Sequence, residues 1–173
     1  FVSVDCGVLD DAIAGVQADL PAADGLDYTD PEQAHVTLQF LGDTDSDRIP
    51  EIVDALERAV ETAAVDPFEA EIGGLGVFPS MEYISVLWLG VRSGVASLTR
   101  LHEAIEPRMV ELGFEADDHD FTPHVTLARM RHAGPKDAVQ RAVREANPDA
   151  GSTAVDAIEL TESTLTEDGP EYT

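Results

Sequence analysis

The 173-residue sequence predicts an α+β fold with two similar lobes, in which antiparallel sheets related by approximate twofold symmetry carry helices on their outer faces and enclose a cleft. Two observations support this prediction. Segments with the alternating apolar pattern of strands take turns with segments that have the three-four spacing of helices. The string His-Val-Thr-Leu also occurs twice, beginning at His35 and His124, which indicates a weak internal repeat. We expect a single domain over residues 1–173, because this length suits one hydrophobic core.

The first half of the chain alternates between strands and helices. A strand is predicted over residues 1–4 and a helix over 9–20, where a proline ends the periodic pattern. A second strand follows over 34–41 and contains the first His-Val-Thr-Leu. The next helix is capped by Asp45 or Ser46, and its apolar residues recur at the spacing of one buried face. These residues are Ile49, Ile52, Val53, Leu56, Ala59, Val60 and Ala63.

The second half predicts a β-hairpin, a helix, the strand with the second His-Val-Thr-Leu, another helix and closing strands. β-Branched and aromatic residues favour the two strands of the hairpin. Gly113 is the usual helix-stop residue and ends the first of these helices. In chain order the predicted ranges are 68–78, 83–91, 98–112, 124–130, 135–146, 154–160 and 163–165.

The strongest global feature is acidity, since 35 Asp and Glu against 10 Lys and Arg give a net charge of -25. Such a surface repels polyanions in dilute buffer. The Debye length falls to about 3 Å in 1 M salt, so the repulsion then becomes short-ranged. Because the acidic residues are spread along the whole chain, the composition resembles that of proteins from salt-accumulating haloarchaea. A basic protein partner is the alternative, although one concentrated acidic segment would suit it better.

Cysteine content and hydropathy indicate a protein of a reducing compartment. Cys6 is the only cysteine, so the chain cannot form an internal disulfide. No segment approaches the roughly 20 consecutive apolar residues that span a bilayer, and the first residues do not resemble a signal peptide. We therefore expect a cytoplasmic protein with no membrane contact, and we expect it to be a monomer.

Each His-Val-Thr triplet places the same pair of side chains on one face of its strand. Because residues i and i+2 of a strand point to the same side, His35 projects with Thr37, and His124 projects with Thr126. If the pairs face each other, the space between them holds two groups that titrate near neutral pH and two hydroxyl donors. Hydrolysis of a cyclic phosphate needs a base, an acid and donors of this kind. This chemistry requires no metal ion and no cofactor.

The other histidines do not indicate a metal site. His102 lies beside Leu101 in a predicted helix and is interpreted as structural, because no His stands four residues later to complete a metal-binding pair. His119 and His132 complete the set of five histidines. We therefore expect no zinc site.

Several short motifs are spread over nearly the whole chain, at residues 1–5, 35–42, 76–79, 86–91, 123–129, 163–165 and 169–172. Together these motifs resemble those of the two-histidine (2H) phosphoesterase superfamily, and within it the LigT-like RNA 2',3'-cyclic phosphodiesterases, also called 2'-5' RNA ligases. The resemblance implies hydrolysis of RNA 2',3'-cyclic phosphate ends, with RNA 3' ends or small cyclic nucleotides as partners.

The resemblance also implies roles for individual residues. His35 would donate a proton to the leaving 3' oxygen and His124 would activate water, which leaves a 2'-phosphate; the symmetry of the motifs alone does not assign these roles. Thr37 and Thr126 would hold the phosphate oxygens. Arg129 is a candidate phosphate contact, although its odd spacing from the second His puts it on the opposite strand face unless the strand twists or ends early. A salt bridge to the acidic surface is the alternative.

The aromatic residues have less specific predictions. Phe40 stands at an odd spacing from the first His, so core packing is its expected role. Trp88 lies in the most apolar segment and is also expected in the core. Among Phe78, Tyr83 and Phe121, a ring near the cleft would be able to stack on the terminal base.

Two departures from the family pattern remove positive charge. Ser85 and His119 stand where relatives often carry Arg. The loss of these cations would weaken RNA affinity or shift substrate choice; the alternative is that it only reflects a chain with few basic residues, with His119 as a solvated loop histidine. Alternatives to RNA end hydrolysis also remain open. The same cleft suits ADP-ribose 1'',2''-cyclic phosphate as a substrate, or the joining and cleavage of 2'-5' RNA linkages. The second alternative is a non-catalytic module that binds RNA or nucleotide ends.

Overall fold

The computed structural model describes residues 1–167 and 169–173. Its strands are β1 (Val2–Asp5), β2 (Leu26–Tyr28), β3 (His35–Gln39), β4 (Phe68–Pro79), β5 (Ile84–Ser93), β6 (His124–Met130), β7 (Asp149–Val155), β8 (Glu159–Leu160), β9 (Ser163–Thr166) and β10 (Gly169–Tyr172). Its helices are α1 (Asp10–Asp19), α2 (Ile49–Ala63), α3 (Val95–Glu111) and α4 (Lys136–Glu145), with short 3-10 turns at Gly7–Leu9, Pro31–Gln33 and Ser46–Arg48. No helix of the described residues is long and apolar enough to cross a membrane.

One antiparallel sheet runs through the molecule in the order β7-β4-β5-β6-β3-β1-β8, and β2 adds to β6. The two strands that contain His-Val-Thr-Leu, β3 and β6, are neighbours at its centre, where Val36 pairs with Val125. The α+β class and the antiparallel strands are thereby confirmed. The predicted lobes do not have separate sheets, because β3 and β6 join the two halves by this central pairing.

The strand β3 contains a bulge just after its His-Val-Thr. Thr37 pairs with Ser3 of β1, but the next pair is Gln39 with Val2, which leaves Leu38 as an extra residue. Leu38 and Gln39 are both buried. The bulge therefore places two consecutive side chains on the core side and reverses the alternation for the residues that follow.

The strand β6 contains the same irregularity at the equivalent place. Thr126 pairs with Trp88 of β5, whereas the next pair is Ala128 with Leu87, so Leu127 is the extra residue. Leu127 and Ala128 are fully buried. The internal repeat thus extends to the backbone geometry of both motif strands.

The core lies between the sheet and the helices. It includes Val36, Leu38, Leu87, Leu89, Val125 and Leu127 from the sheet, Leu98, Leu101, Ile105 and Met109 from α3, and Ile52, Leu56, Ala59 and Ala63 from α2. The prediction that Ile49, Val53 and Val60 share the buried face of α2 is wrong, since these side chains are 38–40% exposed. Only one narrow stripe of α2 is buried, chiefly against α3, so the apolar residues beside the stripe remain accessible.

Two predictions about individual strands also differ from the structure. The predicted strand over 154–160 is split in the structure, because β7 begins at Asp149 and pairs with β4, whereas β8 pairs with β1 at the opposite end of the sheet. The segment between β7 and β8 therefore crosses from one end of the sheet to the other. The short β2 was not predicted, since its three residues lie in a polar segment.

Candidate active site

The two histidines of the repeat lie on the same face of neighbouring strands, and each is half-buried. The Nδ1 atom of His35 lies 2.8 Å from the carbonyl oxygen of Gln33, and Nδ1 of His124 lies 2.8 Å from the carbonyl oxygen of Thr122. A carbonyl accepts a hydrogen bond, so Nδ1 is the N–H in each ring. The Nε2 atom of each imidazole is left to exchange a proton with a substrate.

The electrostatics of the two rings are alike but not identical. Burial lowers the pKa of both His35 and His124, and the hydrogen bond to the backbone carbonyl opposes this effect. The guanidinium of Arg129 lowers the pKa of both rings, so a single cation lies near both. The carboxylate of Asp5 raises the pKa of His35 only, because it stands opposite this residue in the β1–β3 pairing. Gly90 occupies the equivalent place opposite His124.

The hydroxyl residues Thr37 and Thr126 lie on the same strand faces as the histidines, as the alternation predicts. Both are half-buried, and they pair with Ser3 and Trp88 on the flanking strands. The structure therefore places two hydroxyl donors beside the two imidazoles.

Arg129 is on the site face of the sheet in spite of its odd spacing from the second His. The bulge of β6 shifts the alternation, so that Arg129 pairs with Val86, two residues from Trp88 on the same side of β5. Arg129 is exposed and makes no salt bridge among residues 1–167 and 169–173. The odd spacing therefore does not exclude Arg129 from the site.

The prediction that Phe40 packs in the core is wrong. The bulge of β3 leaves Phe40 on the site side, where it is 61% exposed and its ring centroid lies 6.3 Å from that of Phe1. Phe1 in turn stacks on His35, with centroids 4.8 Å apart. Phe40 therefore occupies, in the first repeat, the position that Arg129 has in the second.

The other aromatic residues form a wall around each histidine. Trp88 was predicted for the core, but it is half-buried and its ring centroid lies 5.8 Å from that of His124. Phe78 lies edge-on to the same imidazole, with a centroid distance of 4.8 Å. Phe1 and Tyr172 were not predicted at the site, yet Phe1 stacks on His35 and Tyr172 is edge-on to it at 5.2 Å. Both residues belong to motifs of the family resemblance, at residues 1–5 and 169–172, and this was the signal that pointed to them.

The remaining histidines lie elsewhere. His102 is buried in α3, its Nδ1 donates to the carbonyl of Leu38 at 2.8 Å, and its ring stacks on Phe121, as the structural interpretation predicts. Glu106 stands four residues later, and together with Asp117 it brings carboxylate oxygens within 4.8 Å of the His102 ring nitrogen. His102 and Glu106 belong to α3, and Asp117 lies in the loop that follows it. His119 and His132 are exposed.

A groove of about 500 Å³ lies apart from the histidines, between α2 and the segment that ends in β8. Its lining is Val53, Leu56, Glu57, Val60, Glu61, Ile158 and Leu160. Its lining contains no histidine, so size alone does not make it the catalytic site.

Comparisons with known proteins agree with this geometry. The family model of the 2'-5' RNA ligase superfamily matches residues 9–167. A Methanothermobacter thermautotrophicus protein named RNA 2',3'-cyclic phosphodiesterase is 32% identical over 176 aligned positions, which cover 100% of this chain and 94% of that relative. An Archaeoglobus fulgidus protein with the same name is 31% identical over 177 positions, with 99% and 94% coverage.

Solved structures show the same fold. A crystal structure from Thermus thermophilus superposes with a TM-score of 0.80 at 26% identity, covering 100% of this chain and 92% of the other. Escherichia coli LigT complexed with 3'-AMP has a TM-score of 0.77 at 22% identity, with the same coverage. The chain belongs to the 2'-5' RNA ligase superfamily.

Proposed function

We propose that the protein hydrolyses the 2',3'-cyclic phosphate at RNA ends to a 2'-phosphomonoester. The observation that supports this most directly is the placement of two imidazoles on one face of adjacent strands, each with Nδ1 bound to a carbonyl and one cation near both rings. The names of the relatives from Methanothermobacter thermautotrophicus and Archaeoglobus fulgidus support the same reaction.

The reaction is an in-line displacement at phosphorus. The Nε2 of His124 takes a proton from water, whose oxygen forms the new bond to phosphorus. The bond from phosphorus to the 3' oxygen breaks, and Nε2 of His35 gives this oxygen a proton. The 2' ester bond remains. Solvent then returns each histidine to its starting protonation state.

The charge on the phosphate oxygens is stabilised by donors on the site face. The hydroxyls of Thr37 and Thr126 and the guanidinium of Arg129 donate to the non-bridging oxygens. The arriving phosphate anion also favours protonation of a nearby imidazole. Two histidines, two hydroxyls and one guanidinium supply every group that the step needs, so we propose a reaction without a metal ion.

The assignment of acid and base rests on the family resemblance. Two opposite charges act on His35 and not on His124: the Phe1 amino group lowers the pKa of His35, and the Asp5 carboxylate raises it. A carboxylate beside an imidazole favours the protonated form, so Asp5 is the residue that supports His35 as the proton donor. We also propose that residues 1–173 act as one domain and as a monomer, since both histidines come from one sheet of one chain. The proposed location is the cytoplasm, because the single cysteine, Cys6, suits a reducing compartment.

The test is turnover of a short RNA that ends in a 2',3'-cyclic phosphate, in concentrated KCl with EDTA. We expect a 2'-phosphate product, and we expect His35→Ala and His124→Ala each to lower kcat by roughly 10² to 10⁴. His132→Ala, at an exposed histidine outside the site, is the matched control. A 3'-phosphate product would reverse the roles, and a need for divalent metal would refute the mechanism.

The same assay separates the other functions of this cleft. ADP-ribose 1'',2''-cyclic phosphate competes for the same acid and base, so the ratio of kcat/KM for the two substrates identifies the preferred one. Joining of 2'-5' linkages is detected with a 5'-hydroxyl RNA in place of water as the acceptor. Binding without turnover would indicate a non-catalytic module.

A further inference from the structure

Each site histidine has one anchor in the backbone, and one anchor does not fix the ring. The hydrogen bond from Nδ1 to a carbonyl 2.8 Å away holds one edge of His35 and of His124. The imidazole is still able to tilt about this bond. Proton transfer requires Nε2 in line with the reacting oxygen, so a second restraint on each ring is needed.

For His124 the main sheet supplies this restraint. Phe78 of β4 lies edge-on to the imidazole, with an interplanar angle of 82°, and Trp88 of β5 lies on another side. Trp88 packs closely over Gly76, where an added Cβ would overlap the indole ring. Both aromatic residues belong to long, paired strands, so the wall around His124 is part of the rigid body of the sheet.

For His35 the edge-on ring comes from outside the main sheet. Tyr172 makes an interplanar angle of 86° with His35, and its centroid is also 5.2 Å from that of Phe1. Tyr172 belongs to β10, which pairs with β9 in a separate two-stranded sheet. This C-terminal hairpin, described over residues 163–166 and 169–172, is joined to the main sheet at its base, where the Thr161 N–H donates to the Phe1 carbonyl at 2.8 Å.

The packing of the hairpin is concentrated at Tyr172. All residues of β9 are exposed, and Leu165 is 85% exposed. Tyr172 is half-buried against the two rings. The hairpin thus contacts the site through the Tyr172 ring of β10, whereas its other strand, β9, is exposed.

We propose that Tyr172 is a positioning residue for His35, which the C-terminal hairpin holds against the edge of the imidazole so that Nε2 stays aligned with the leaving oxygen. The catalytic part of this proposal rests on the proposed function. The geometric part does not, because it concerns only the contact between the two rings.

Tyr172 also shields His35 from water. The charged groups that face this imidazole are Asp5 from β1, Arg129 and His124 from β6, and the amino group of Phe1, whereas Tyr172 contributes an uncharged surface. Burial is the largest cause of the lowered pKa of His35. Removal of the Tyr172 ring would hydrate the imidazole and return its pKa toward the ordinary value.

The experiment compares Tyr172→Ala, Tyr172→Phe and Leu165→Ala in the full chain. The alanine control truncates an exposed side chain of the same hairpin. NMR titration follows the His35 imidazole, identified by the signal that His35→Ala lacks, and steady-state assays give kcat and KM on the cyclic-phosphate RNA.

We expect Tyr172→Ala to raise the pKa of His35 and to lower kcat on the order of 10-fold, with KM within about twofold of the wild type. Tyr172→Phe restores both values, because the contact uses the ring and not the hydroxyl. Leu165→Ala behaves as the wild type.

Two outcomes overturn the proposal: an unchanged His35 titration in Tyr172→Ala, or a Phe variant that is no better than the Ala variant. The titration needs no turnover. A wild type that does not hydrolyse the RNA, combined with a shifted His35 titration in Tyr172→Ala, therefore supports the ring contact while it refutes the proposed function.

Discussion

The two identical His-Val-Thr triplets acquire different properties from the residues opposite them. Asp5 faces His35 across the β1–β3 pairing, and Gly90 faces His124 across the β5–β6 pairing. A carboxylate beside an imidazole favours the protonated ring, and a glycine has no such effect. The neighbouring strands therefore give the two motifs different surroundings, and the letters of the motifs alone do not contain this difference.

Asp5→Asn tests this asymmetry through the pH dependence of kcat. The carboxylate raises the pKa of His35, so its removal lowers that pKa. If His35 acts as the acid, activity is lost as pH rises through this pKa, and the alkaline limb of the profile moves to lower pH. The amide retains an acceptor for the Gly7 N–H that Asp5 binds at 2.9 Å.

The acid limb of the same profile is the internal control for Asp5→Asn. Asp5 does not affect the pKa of His124, so the limb set by the base is expected to stay in place. Movement of the acid limb with a fixed alkaline limb would mean that His35 is the base.

Phe40 has an equally local consequence. If the 3' oxygen leaves beside His35, the attached ribose is expected to direct the terminal base toward the aromatic side that includes Phe1 and Phe40. Stacking of a base on an aromatic ring contributes about 1–3 kcal/mol. Phe40→Ala is expected to raise KM for nucleoside 2',3'-cyclic phosphates about 10-fold. A ribose 2',3'-cyclic phosphate without a base should show no such change in KM, and equal effects on both substrates would contradict stacking.

At the scale of the strands, the repeat was predictable but the bulges were not. The alternation rule correctly placed Thr37 and Thr126 beside the histidines, since no irregularity intervenes. It failed for Phe40 and Arg129, which follow the extra residues of β3 and β6. A bulge depends on how a strand pairs with its neighbour, and the partner strands β1 and β5 are distant in sequence from the motifs that they distort.

Arg129→Ala measures what the bulge of β6 contributes to catalysis. Arg129 approaches both imidazoles only because the strand irregularity returns it to the site face. Loss of one donor to a developing phosphate charge is expected to lower kcat by about 10². Arg131→Ala is the matched control, because Arg131 directly follows β6 but binds Asp27 at 2.7 Å on the surface. Equal losses in both variants would indicate a general charge effect.

Helix boundaries were predicted well where local signals exist, and less well where tertiary contacts decide. Gly113 has a φ of 91°, a conformation that glycine adopts easily, and it follows α3 as the sequence predicts. The buried stripe of α2 was overestimated, since periodicity shows which side is apolar but not how much of it the partner covers. The split between β7 and β8 depends on which distant strands they pair with, and no local pattern contains that information.

For the whole molecule, the net charge of -25 surrounds a site that must accept an anion. Arg129 and two imidazoles supply the attraction at the site, and they act over a few ångströms. The acidic surface acts over the Debye length, which is about 10 Å at 0.1 M salt and about 3 Å at 1 M. Dilute buffer therefore extends the repulsion to the whole RNA, whereas concentrated salt limits it to contact distances.

This balance predicts an inverted salt dependence. For most RNA-binding proteins salt weakens binding, because counterions compete with basic side chains. Here we expect KM for a cyclic-phosphate RNA of several nucleotides to fall as KCl rises from about 0.1 M to about 2 M, because screening removes more repulsion than attraction. A nucleoside 2',3'-cyclic phosphate, with a single charge, should change much less in the same assays. If KM of the longer RNA rises with KCl, the acidic surface does not govern access to the site, and a local basic contact dominates binding instead.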